Sequence, residues 1–246
     1  MKNELIEWIR EYFKKNGNPK AVIGISGGTD SSVAAAAMCE AIGKENVIGV
    51  LMPNGYQHDI DVSLDLVNFL GIKYYTINIK EIVDGIKEKV SDVTGTDPDE
   101  VDAYKTNTPS RVRMTFLYGI CALVGGRVVN TCNLSEDYVG YSTKFGDAAG
   151  DFSVLSAFTK TEVRELGREL GLPDRFVEKT PEDGMSGKSD EERLGFTYAE
   201  LDNYLRTGEI ADENIKDSIE RRHRANLHKM QPMPVYDYMN RDRYFK

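Results

Sequence analysis

The chain has 246 residues, 40% hydrophobic and 29% charged, enough for one large α/β domain. A net charge of −9 argues against a protein whose main task is gripping a nucleic-acid backbone, though local Lys and Arg still suit a small anionic ligand. No apolar run approaches the ~20 residues of a membrane helix, and Cys39, Cys121 and Cys132 are widely spaced with no CxxC pair, so a reducing cytoplasm is expected and disulfides or metal clusters are not.

Leu5, Ile6, Ile9, Tyr12 and Phe13 share one face of an opening helix that Asn16-Gly17-Asn18-Pro19 ends. Residues 21–25 are short, apolar and β-branched, as a buried parallel strand requires. A glycine turn leads into an alanine-rich helix over 31–42, and the pattern repeats with strand 47–52, helix 60–70 and strand 73–79. A further helix and a polar stretch over 94–108 precede helix 111–123 and strand 127–132. This alternation predicts an α/β fold with a doubly wound, Rossmann-like parallel sheet and right-handed crossovers.

The last third reads differently. Thr159-Lys160-Thr161-Glu162 and Thr197-Tyr198-Ala199-Glu200 each have the form that opens a helix with a capping box. Between them, 178–193 is polar, carries Pro181, Gly184 and Gly187, and has no apolar period; it is expected to be a mobile lid loop near the active site. Another helix over 212–229 and a Pro- and Tyr-rich tail follow. The expectation is a single domain over 1–246, with an α/β core over 1–175 and C-terminal helices and tail over 197–246.

The sharpest chemical signal is Gly24-Ile25-Ser26-Gly27-Gly28-Thr29-Asp30-Ser31-Ser32, at the end of the first strand. It is not a Walker A loop, since G-x-x-x-x-G-K-[ST] is absent. Consecutive glycines nonetheless let backbone N–H groups approach a phosphate, Ser26 and Ser31 add hydroxyl donors, and the next helix aims its N-terminus there. Asp30 would repel a phosphate unless a cation such as Mg²⁺ lay between them. Two other readings exist: a plain βα turn with Asp30 as a helix N-terminal charge, and a G-x-S-x-G nucleophile elbow at Ser26. The elbow reading is poor, because only one strand precedes Ser26 and only His58, His223 and His228 are available as a base.

Ser-Gly-Gly-Thr-Asp-Ser resembles the phosphate loop of the N-type ATP pyrophosphatases, which adenylate a substrate oxygen and release pyrophosphate. Within that superfamily the chain resembles the ammonia-dependent NAD synthetases. The further segments that carry the likeness are Arg111-Val112-Arg113-Met114 with Leu117-Tyr118, and Asn130-Thr131-Cys132-Asn133-Leu134-Ser135-Glu136. Gly140-Tyr141-Ser142-Thr143-Lys144-Phe145-Gly146-Asp147 with Asp151, Lys160, and His228-Lys229 with Pro232 and Pro234 complete it.

The resemblance implies that Gly24, Ile25, Ser26, Gly27, Gly28, Thr29, Asp30, Ser31, Thr131 and Lys160 bind ATP, and that Asp30 and Glu136 hold Mg²⁺. It gives Arg113, Lys144, Asp151, His228 and Lys229 to deamido-NAD, and makes Asp30, Lys160 and Asp147 catalytic. The chemistry is consistent: an acidic protein must gather cations locally to neutralise a dinucleotide and leaving pyrophosphate. The implied ligase amidates deamido-NAD with free ammonia, as a homodimer, without nucleic acid or membrane. The chain departs from the family pattern in His228-Lys229-Met230, where His-Lys-Arg is usual, and in Pro181-Glu182-Asp183-Gly184-Met185, where P-[ST]-A-x-L is common. The competing readings are another ATP pyrophosphatase, acting in tRNA modification or sulfur transfer, and a non-catalytic nucleotide-binding module.

Overall fold

The structure is a computed structural model that describes residues 1–57, 60–178 and 189–236. Among them, β1 (Lys20–Gly24), β2 (Val47–Leu51), β3 (Lys73–Thr76), β4 (Gly126–Asn130) and β5 (Phe152–Ser153) form one sheet in the order β3-β2-β1-β4-β5. Every pairing is parallel, with Val22 opposite Ile48 on one side and Gly126 opposite Lys20 on the other. The doubly wound sheet read from the alternation is present. The chain runs outward from β1 to β3 and then returns to build β4 on the far side. The order therefore reverses between β1 and β4, and the loops after their carboxyl ends part to leave the crevice where such sheets bind ligands.

Alternation along β1 sends its side chains to two separate cores. Ala21 and Ile23 join a cluster with α1 (Lys2–Lys15), α2 (Thr29–Ile42), α3 (Ile60–Leu70), α7 (Lys160–Glu169) and α8 (Asp174–Val177). Val22 faces α4 (Lys80–Thr94) and α5 (Asp102–Val124), meeting Val83, Val112 and Leu117. Helix α2 is buried from Val33 to Met38, so its alanines are small because neighbours press on it from every side. A third cluster joins α6 (Leu134–Val139), α9 (Asp190–Leu194), α10 (Tyr198–Thr207) and α11 (Glu213–Asn226) through Val139, Leu194, Tyr198, Leu201 and Ile219.

Several boundaries differ from the sequence reading. Residues 102–108, expected as a polar stretch, open α5. The start of this stretch is mostly solvent-exposed, and farther along the helix meets a polar loop, where Thr143 donates to Asn107 Oδ1 at 2.9 Å and Ser110 to Asp147 Oδ1 at 2.6 Å. Strand β3 stops at Thr76, although the N–H groups of Ile77 and Ile79 still donate to Leu51 and Pro53 at 2.9 Å. The end of the expected lid is helical: Ser189 and Glu192 form a capping box that starts α9, an S-x-x-E signal the polar composition concealed. Residues 179–188 of that lid, and 237–246 of the expected tail, lie outside the described residues. The helix read over 212–229 is α11 followed by a 3₁₀ turn, Leu227–Lys229. The short elements α6, α8 and β5 were not anticipated, being too brief to show a period.

Candidate active site

The glycine loop lies where β1 meets α2. Gly27 adopts φ +77°, and a Cβ there would come within 2.9 Å of Ser63 Oγ, so both its backbone and its neighbours demand glycine. Ser26 Oγ accepts from the N–H of Gly28 at 3.2 Å and lies 3.1 Å from Ser31 Oγ, which donates to the Gly28 carbonyl. Thr29 is turned away from the loop, its hydroxyl donating to the Val177 carbonyl at 3.1 Å. His223 and His228 meet the carbonyls of Tyr138 and Ala225 rather than Ser26, so neither described histidine serves as a base for the nucleophile elbow, and His58 lies outside the described residues.

Four side chains from three strand ends converge beside this loop. Asp30 begins α2, Asn133 and Glu136 follow β4, and Lys160 follows β5 as the first residue of α7. Lys160 Nζ lies 2.5 Å from Asp30 Oδ2 and 3.1 Å from Glu136 Oε1, and the lysine is 2% exposed. Asn133 donates to Asp30 Oδ1 at 2.9 Å and accepts the Glu136 N–H at 3.0 Å, so one buried amide ties the Asp30 carboxylate to the backbone that carries Glu136. Burial by itself disfavours the charged lysine, but the charges of Asp30 and Glu136 outweigh it and keep the ammonium firmly protonated. Burial pushes the Glu136 carboxyl up from the usual carboxylate range, against the pull of Lys160 and with the push of Asp30. The Tyr198 ring supports Lys160, its centroid 5.3 Å from Nζ.

These groups also fit a hard divalent cation. Two carboxylates already hold one positive charge, and both supply the oxygen ligands that Mg²⁺ prefers. No cage of three or more His, Cys, Asp or Glu side chains exists among the described residues. That matches an ion held by one or two carboxylates and completed by substrate phosphates and water.

The remaining site residues form a second group along the rim made by 140–147 and 225–229. Arg113 Nε donates to the Met52 carbonyl at 3.0 Å, and burial pulls its guanidinium below the usual value while Asp147 opposes. Lys144 Nζ donates to the His228 carbonyl at 2.6 Å, and Lys229 Nζ to the carbonyls of Gly140 and Ser142 at 2.7 and 2.9 Å. Asp147 serves the turn that carries them, its Oδ1 accepting from Ser110 and from the N–H of Thr143. Asp151 Oδ2 accepts the Val128 N–H at 2.7 Å and so anchors the start of β5 to the middle of β4. Phe145 takes a left-handed φ of +65° while 66% exposed, beside the Lys144 ammonium. Thr131 lies between Asn130 and Cys132, directly after β4.

The structure thus brings Asp30, Glu136 and Lys160 into one cluster, and Arg113, Lys144, His228 and Lys229 onto one rim. Sequence reading quoted Asn133 but gave it no role; its position three residues before Glu136, opening a helix as N-cap, was the available signal. Tyr198, Asp190 and Asp202 gave no signal, because they reach the site only through packing of the C-terminal helices.

A model of NAD synthase matches residues 1–239. The chain is 39% identical over 207 residues to an NH(3)-dependent NAD(+) synthetase of Pyrococcus horikoshii, covering 82% of this chain and 77% of that one. With an NH(3)-dependent NAD(+) synthetase of Methanosarcina acetivorans it shares 36% over 249 residues, covering 95% and 96%. Among solved structures, an NMN synthetase from Francisella tularensis matches with a TM-score of 0.87 at 30% identity, over 96% of this chain and 97% of that one. An NH3-dependent NAD synthetase from Campylobacter jejuni, in complex with nitrate ion, matches with 0.75 at 28% identity, over 96% of each. None of these likenesses is to a tRNA-modifying enzyme, a sulfur transferase or a non-catalytic module.

Proposed function

The chain belongs to the NAD synthase family, and we propose that its Lys160–Asp30–Glu136 cluster performs the ATP-dependent, ammonia-dependent amidation of deamido-NAD. The observation that carries this reading is a buried ammonium held by two carboxylates from separate strand ends, beside a glycine loop at the sheet's switch point. The nicotinate carboxylate oxygen attacks the α-phosphorus of ATP, and the bond to pyrophosphate breaks to leave an acyl adenylate. Ammonia then attacks the acyl carbon, the bond to AMP breaks, and one proton is released with NAD.

The loop from Gly24 to Ser31 receives the phosphates through backbone N–H groups, the Ser26 and Ser31 hydroxyls and the α2 N-terminus, with Thr131 closing the ATP site from β4. Thr29, bonded to Val177, holds the loop rather than the ligand. Asp30 and Glu136 would hold Mg²⁺, which when bound supplies charge neutralisation at the phosphates. Lys160 stabilises the negative charge that develops on the leaving pyrophosphate. Arg113, Lys144, His228 and Lys229 meet deamido-NAD, the lysines trading neutral carbonyl partners for charged oxygens, which bind an ammonium more strongly. Asp151 orients this rim through β4. Asp147, whose charge reaches both Arg113 and Lys229, balances the rim and takes the proton of incoming ammonium.

No helix among the described residues is long and apolar enough to cross a membrane, and three unpaired thiols suit cytoplasmic work.

A second reading rests on the Francisella likeness: the site takes the mononucleotide, deamido-NMN. Purified protein incubated with MgATP, ammonium and either substrate decides between them. The expected result is NAD and AMP in equal amounts from deamido-NAD, with little gain from glutamine. Faster AMP release with deamido-NMN would replace the dinucleotide by the mononucleotide, and no AMP with either would sink the assignment.

A further inference from the structure

We infer that Asp202, on the C-terminal helix α10, is a positioning residue that sets Lys160 against Glu136. The inference rests on the function proposed for that cluster and extends it to a residue outside the motifs. Ser135 donates to Asp202 Oδ1 at 2.5 Å, and the Thr161 N–H donates to Asp202 Oδ2 at 2.7 Å. Ser135 Oγ in turn accepts the backbone N–H of Lys160 at 3.1 Å. One carboxylate therefore ties the first turn of α6, which carries Glu136, to the first turn of α7, which carries Lys160.

The hydrogen-bond directions leave little freedom. Ser135 has a single hydroxyl proton, and it goes to Asp202. Both Asp202 oxygens must accept, and they do so at an α7 N-terminus that favours negative charge. Asparagine supplies only one acceptor and places an NH₂ group against one of two donors. The chain of bonds is sealed from water: Ser135 is 0%, Lys160 2% and Asp202 6% exposed. Competition from solvent cannot restore a lost partner, and a shift of the α7 terminus moves the lysine ammonium with it.

A second clamp makes the role separable from folding. Arg206, one turn along α10, donates through Nε to Glu162 Oε1 at 2.8 Å and through a guanidinium NH₂ to the Ala157 carbonyl at 2.9 Å. Packing of Leu201 and Tyr198 in the third cluster also holds α10. Helix α10 keeps these contacts when the Asp202 carboxylate is removed.

The test is pyrophosphate release by Asp202→Asn and Ser135→Ala, with unfolding temperature measured on the same samples. The expected result is a kcat about 10- to 100-fold lower, with the KM for deamido-NAD within about twofold of wild type. In a Lys160→Arg background, which keeps the cluster's charge, Asp202→Asn should cost no more than about threefold further, since both act through one ammonium. Folded variants that turn over at the wild-type rate, or losses fully additive with Lys160→Arg, overturn the inference. If Asp202→Asn does not fold, Ser135→Ala decides by the same readings. Lys160→Arg alone separates the two levels. Wild-type turnover there removes the reading of the site, whereas an impaired Lys160→Arg beside a normal Asp202→Asn removes only this inference.

Discussion

The two cationic regions of the site are held by opposite means. At the ends of β1, β4 and β5, Lys160 is buried against the charged oxygens of Asp30 and Glu136. Along the rim, Lys144 and Lys229 rest on neutral backbone carbonyls, as does Arg113 at Met52. The first arrangement cannot lose a member cheaply, because its charges sit away from water and each compensates another. The second costs little to rearrange, because a carbonyl is a weaker partner than a phosphate or carboxylate. On the proposed function, the region that stabilises developing charge is preorganised and the one that binds and releases a dinucleotide is left exchangeable.

Removing the cation tests this contrast most severely. Lys160→Met leaves Asp30 and Glu136 facing each other, so it should cost about 3–5 kcal/mol of stability as well as activity. Thermal or denaturant unfolding measures the loss, and an unchanged midpoint would erase the distinction between the regions. Asp30→Asn is milder, since its amide oxygen can still accept from Lys160, although its NH₂ then faces the Asn133 donor. The fold should survive while pyrophosphate release falls on the order of 10²- to 10³-fold; near wild-type turnover at saturating Mg²⁺ would give Asp30 another role.

On the rim the pattern should invert. Lys229→Met and Arg113→Ala should leave stability within about 1 kcal/mol of wild type. Each should weaken deamido-NAD binding by roughly 1.5–3 kcal/mol, with ATP binding nearly unchanged. Separate titrations decide this, and equal losses for both ligands would move the rim out of the dinucleotide site. The smallest effect expected is none at all, at the thiols. Burial pushes Cys39 up to about 12, Cys121 to about 11, and Cys132 well above its ordinary value. Cys132 also donates to the Asp147 carbonyl at 3.3 Å, between the two regions. Iodoacetamide near pH 8 should label no cysteine in the native enzyme and all three after denaturation. Rapid native labelling of Cys132, read by mass, would show that the regions part readily.

Much of the preorganised cluster was legible in the sequence. Asp30 follows two glycines at a strand end, Glu136 follows an N-capping asparagine, and Lys160 opens a T-x-x-E box; each is a local pattern with a local physical cause. The rim was legible only as a set of residue types. Nothing along the chain says that Lys229 spans to the carbonyls of Gly140 and Ser142, 89 and 87 positions away. Nor does it say that Asp147 and Asp151 are engaged through a turn and a strand end.

The sequence by itself determined the alternation of strands and helices, the parallel sheet, the glycine loop and the capping boxes. These depend on side-chain periodicity and on backbone groups a few residues apart. It also determined, through the family likeness, the class of reaction. Only the tertiary structure decided that 102–108 is helical, since this turn faces solvent and Asn107 finds its partner on the 140–147 loop instead of in an apolar core. Only it placed Asp202 behind Lys160 and the Tyr198 ring beneath it. Those contacts join α6, α7 and α10, and a buried carboxylate finds its donors by packing in three dimensions, which no spacing along the chain encodes.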